Sequence, residues 1–68
     1  MLLQQFLTRD DVEATIPSQA DGSAFGSCPI ELLDLVKEQE ASCVENGGTF
    51  EYTLEGSKIT FSLWSPSL

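Results

Sequence analysis

The sequence predicts a small α+β domain: one or two helices packed on a C-terminal antiparallel β-hairpin, with the N-terminus available for a third strand. Three observations lead there. Residues 50–63 alternate apolar and polar side chains about a Gly56-Ser57 turn. Residues 29–44 place apolar side chains at helical spacing. The length, 68 residues, suits one domain and not two.

Taken in chain order, residues 2–7 are ambiguous. Leu3, Phe6 and Leu7 suit a helix, but the stretch is also of strand length. A strand is preferred because an isolated hairpin is marginal in water and needs a further partner. Thr8 followed by Asp11 reads as a capping box with Asp in place of Glu, and Asp10 and Asp11 would fall in a first turn, where the helix dipole favours acids. Leu7 and Val12 fit a hydrophobic staple, and Pro17 excludes Ile16 from the α region. The expected helix therefore covers 9–16. Residues 17–28, rich in Pro, Gly and Ser, read as a flexible loop. Phe25 is its one large apolar side chain, either pinning the loop to the core or anchoring a partner.

The second helix is expected to begin at Pro29, capped by Cys28 or Ser27 with Glu31 close behind, and to run to about Val44. Asn46-Gly47-Gly48 supplies the stop. Leu32, Leu33, Val36, Cys43 and Val44 form the inward face, and Glu40 intrudes on it, at a boundary or toward a partner. In the hairpin, a two-residue turn with Gly first, as type II′ requires, sets the register. It pairs Leu54 with Ile59, Tyr52 with Phe61 and Phe50 with Leu63 on one face. On the other it pairs Glu55 with Lys58, Thr53 with Thr60 and Glu51 with Ser62. Trp64 then lies opposite Thr49, off the core face, either exposed or covering the end of the hairpin.

Composition narrows the chemistry. The absence of histidine excludes His-based triads and imidazole acid–base catalysis. There is no phosphate-binding glycine loop, no dinucleotide fingerprint and no EF-hand loop, since Asp21-Gly22-Ser23 is too sparse in ligands. Two cysteines without histidine do not make a zinc site within one chain. Cys28 at a helix N-terminus is the one candidate nucleophile, but a neighbouring Glu31 and the lack of cations favour a buried or capping thiol. No enzyme activity, cofactor or metal is expected. No stretch reaches the ~20 apolar residues of a membrane span, and the N-terminus lacks a cationic signal start, so a cytoplasmic protein with reduced cysteines is expected. So small a core makes self-association, as a homodimer, a second route to stability.

Charge is the feature that stands out. Eleven acidic against three basic residues give a net charge of −8. On the second helix Glu31, Asp34, Glu38 and Glu45 project within about 60° of one another at ~100° per residue. Glu51 and Glu55 are expected to extend that face. The spacing compares with duplex DNA, which carries one charge per ~3.4 Å of axis on each strand. Arg9, Lys37 and Lys58 are too few to neutralise phosphates, so direct nucleic-acid binding is not expected. The helix-then-hairpin order resembles a winged helix, but acids stand where a DNA-reading helix carries Lys and Arg.

In size, acidity and lack of catalytic residues the chain resembles small phage or mobile-element inhibitors, anti-CRISPR and anti-restriction DNA mimics among them. That resemblance implies a binding protein in the host cytoplasm whose carboxylates Glu31, Asp34, Glu38, Glu45, Glu51 and Glu55 occupy a basic groove of a nucleic-acid-processing protein. The alternative is a regulatory or structural interaction protein, such as an antitoxin or assembly subunit. It would bind through Phe25, Trp64 or the hairpin edge.

Overall fold

The structure, a computed structural model, describes residues 2–16 and 22–66. Its elements are α1 (Leu3–Leu7), β1 (Glu13–Thr15), β2 (Ser23–Pro29), a 3-10 turn (Ile30–Leu32), α2 (Leu33–Glu45), β3 (Thr49–Glu55) and β4 (Lys58–Trp64). The strands form one antiparallel sheet in the order β1-β2-β4-β3. Among the described residues no helix is long and apolar enough to cross a membrane.

The hairpin of β3 and β4 has the register its alternation dictates, from Glu55 opposite Lys58 to Thr49 opposite Trp64. Gly56 has φ of 63° and no described non-glycine residue has positive φ, as a type II′ turn requires. Phe50, Ile59, Phe61 and Leu63 point inward and are buried. They meet Phe6 of α1, whose ring lies 5.6 Å from that of Phe61, while Phe50 stacks on Phe61 at 6.0 Å.

Helix α2 contributes Val36, Gln39 and Cys43 to this core. Both of its ends are tied to the hairpin. Ile30 N–H, in the turn leading into it, donates to the Ser57 carbonyl at 2.9 Å. The Cys43 thiol reaches the carbonyls of Thr49 and Trp64, each at 3.3 Å. The helix stops at Asn46 and Gly47, the latter at φ of 87°. Leu32 and Leu33 are partly buried, Glu40 is half-buried, and Val44 is 57% exposed, contrary to its expected inward place. At ~100° per residue Val44 falls about 110° from the centre of the Val36–Gln39–Cys43 stripe, too far round to reach the sheet.

The N-terminal third differs from its expected course. Leu3–Leu7 is helical, with Leu2 extended at its N-cap, where a strand is expected over 2–7. Leu2 N–H donates to Gln5 Oε1 at 3.1 Å, Phe6 and Leu7 are buried, and Thr8 Oγ1 closes the helix on the Gln4 carbonyl at 2.8 Å. Residues 9–16 are not a helix. Val12 N–H bonds back to the Arg9 carbonyl at 3.2 Å, Arg9 grips Asp11 with two hydrogen bonds of 2.8 and 2.9 Å, and the chain leaves this turn extended as β1. Thr8 thus ends a helix instead of starting one.

The sheet does take a strand from the N-terminal region, β1, but the hairpin's own neighbour is β2, drawn from the stretch expected to be a loop. Of that expected loop, residues 17–21 lie outside the described residues, residues 23–28 pair with β4, and Phe25, Gly26 and Ser27 pair with β1 on the other side. Cys28 and Ser27 are therefore strand residues and not helix caps. Pro29 precedes the 3-10 turn with no side-chain cap.

Candidate functional site

The helices cover one face of the sheet only, and this divides the predicted carboxylates. Asp34, Glu38 and Glu45 lie on the solvent side of α2 and are exposed. At ~100° per residue they fall within about 40° of one another, opposite the buried stripe. Asp34 and Glu38 stand one helical turn apart, a like-charge i,i+4 pair. The one ion pair among the described residues joins Arg9 to Asp11, so this ridge has no cation bonded to it.

Glu51 and Glu55 are exposed too, but they alternate with Phe50 and Tyr52, which face the core. Their side chains leave the sheet on the face away from the helices. The six predicted carboxylates do not form one surface: α2 carries three, and Glu51 and Glu55 stand behind them across the sheet.

Glu31 joins a third group. It sits in the 3-10 turn, and with Asp10, Asp11, Glu13, Lys58 and the buried Cys28 it lines an open cleft of about 430 Å³. The acidic run Asp10–Glu13 was the signal for this cleft, and reading it as a helix start concealed it. Within the cleft, the hydrogen bonds from Arg9 hold the Asp11 carboxyl below the usual carboxylate range and raise the guanidinium in turn. The Cys28 thiol is pushed up, first by burial and then by the charge of Asp11. Burial also raises Cys43. Both cysteines are free and buried, as small apolar side chains would be. Neither environment favours the thiolate, and Cys28 lacks the helix N-terminus that would activate it. Among the described residues no group of His, Cys, Asp or Glu is arranged to hold a metal ion.

The uncovered sheet face carries the other two candidates. Phe25 of β2 lies opposite Ser62 and is 50% exposed, and Trp64 of β4 is 39% exposed. Trp64 lies two residues beyond Ser62 on β4, so the two rings are diagonal neighbours across adjacent strands. Phe25 does not pin a loop to the core, because its strand turns it outward.

Compared with protein-family models, curated proteins and solved structures, the chain matches none.

Proposed function

We propose that this protein is a non-enzymatic inhibitor that binds a basic, nucleic-acid-processing protein through the acidic ridge of α2, in the manner of a phage-encoded DNA mimic. One observation carries the reading: Asp34, Glu38 and Glu45 share an exposed helical face, and no cation of the described chain is bonded to them. A like-charge ridge disfavours its own helix slightly. Its return is steering toward a cationic groove, where each carboxylate substitutes for a phosphate. Glu31, in the 3-10 turn before α2, belongs to the acidic cleft and adds to the field there. Glu51 and Glu55 contribute to the net field but, from behind the sheet, do not enter the same groove.

Affinity capture from a host lysate, with the Asp34→Lys, Glu38→Lys double variant in parallel, tests this reading. The partner should be a basic protein, should dissociate as salt rises, and should be lost to the variant while its circular dichroism stays unchanged. Undiminished capture by the double variant removes the ridge as the binding surface.

The second reading, a regulatory or assembly protein that binds through apolar surface, draws on Phe25 and Trp64, diagonal neighbours on the uncovered face. A complex of that kind is nearly insensitive to salt and is weakened by Phe25→Ala.

A further inference from the structure

We infer that β3 is a docking edge for a second copy of this chain, pairing antiparallel with its own counterpart about a two-fold axis at Tyr52 to give a continuous eight-stranded sheet. This goes beyond the functional reading above and does not use its acidic ridge.

The argument starts from the edge itself. β3 is seven residues long, ends the sheet and contains neither proline nor lysine; its two charges, Glu51 and Glu55, both stand on the face away from the helices. The turn fixes which of its backbone groups are unused. Glu55 and Lys58 flank it and face one another, so Glu55, Thr53 and Glu51 direct their N–H and C=O groups to β4. Phe50, Tyr52 and Leu54 therefore direct theirs outward, away from β4. Leu54, on the core face of the sheet, is 50% exposed, which leaves apolar surface beside those groups.

Side chains then select the partner and the register. In an antiparallel pair about a two-fold axis, a residue must meet one from the same face, so only every second register is allowed. Centring on Glu51 places Glu51 opposite its own copy, and centring on Thr53 places Glu51 opposite Glu55. Both oppose like charges. Centring on Tyr52 pairs Glu51 with Thr53 and Glu55 with Thr49, so no carboxylate faces another. It also sets Tyr52 against Tyr52, and Leu54 against Phe50. The same register makes Tyr52–Tyr52 and both Phe50–Leu54 pairs hydrogen-bonded ones, which satisfies every outward backbone group of the three residues. A single strand pair is a small interface, and each copy carries −8, so the dimer is weak and held apart by charge at low salt.

Sedimentation equilibrium of the full chain, from micromolar to near-millimolar concentration and at low and high salt, tests the inference. The expected result is a monomer–dimer equilibrium that tightens as salt rises. A monomer under all these conditions overturns it. Thr53 is exposed and outside the core, so its variants read the register. Thr53→Lys, opposite Glu51, should strengthen the dimer, and Thr53→Glu should weaken it roughly tenfold, because the two-fold axis doubles each substitution. Equal dimerisation by both variants overturns the register. Hydrogen exchange on the unaltered chain needs no variant to fold: the amides of Phe50, Tyr52 and Leu54 should gain protection with concentration. Protection that rises instead around Phe25 and Trp64 also overturns the proposal.

Discussion

The two faces of the sheet differ in nearly every respect. One carries Ala24, Cys28, Phe50, Ile59, Phe61 and Leu63, all buried against α1 and α2. The other carries Phe25, Glu51, Glu55 and Trp64, all exposed, together with Thr53 and Ser62. The same strands supply both, by simple alternation. Stability is thus concentrated on one side of the molecule, and the opposite side is open to selection for binding or for solubility. The carboxylates follow the same division, with α2 presenting one group and the bare face another.

Substitutions on the two faces should separate that division cleanly. Ile59→Ala, at a fully buried side chain, should cost about 2–5 kcal/mol, enough to unfold much of so small a domain. Phe25→Ala on the other face should change stability by no more than about 0.5 kcal/mol. Equal losses in urea denaturation would mean that both faces are packed. Gly26→Ala comes next, at about 1–3 kcal/mol, because a β-carbon there would lie 2.1 Å from the Glu13 carbonyl oxygen and β1 would have to shift.

Alkaline pH should act on the buried face through its thiols. Cys28 and Cys43 hold their protons more tightly when folded, so above about pH 8.5 the unfolded chain binds fewer protons than the native one. Stability should therefore be undiminished below that pH and fall as pH rises through the raised native values. Cys28→Ser should lessen the fall, provided stability is compared within each variant. The smallest effect is on the α2 ridge: replacing Asp34 and Glu38 by Lys exchanges one like-charge i,i+4 pair for another, and should shift stability by only a few tenths of a kcal/mol. A large loss there would show the ridge to be structural.

How much of this was legible depended on how local the information is. The hairpin register followed from residues 49–64 alone, because its turn and its alternation agree and both lie within one short stretch. The stop of α2 was legible for the same reason, but its start was not, because Ser27, Cys28 and Pro29 belong to β2 and a 3-10 turn precedes the helix. β2 was not. Ser23-Ala24-Phe25-Gly26-Ser27 has the composition of a loop, and it is a strand because β1 and β4 flank it and its small inward residues leave room for them. The Thr8–Asp11 spacing misled because Asp11 is spent on Arg9 and Thr8 on the carbonyl behind it. The acidic ridge was legible from helical periodicity. Its separation from Glu51 and Glu55 required knowing which sheet face the helices cover.

The two tethers of α2 have a consequence of their own. Ile30 is fastened to the turn of the hairpin and Cys43 to its open end, so the helix is moored at bow and stern. It has little freedom to roll or slide without breaking one fastening. The carboxylates it displays keep their intervals like the marks on a gauge, and a groove of mismatched pitch gains nothing by waiting for the helix to adjust.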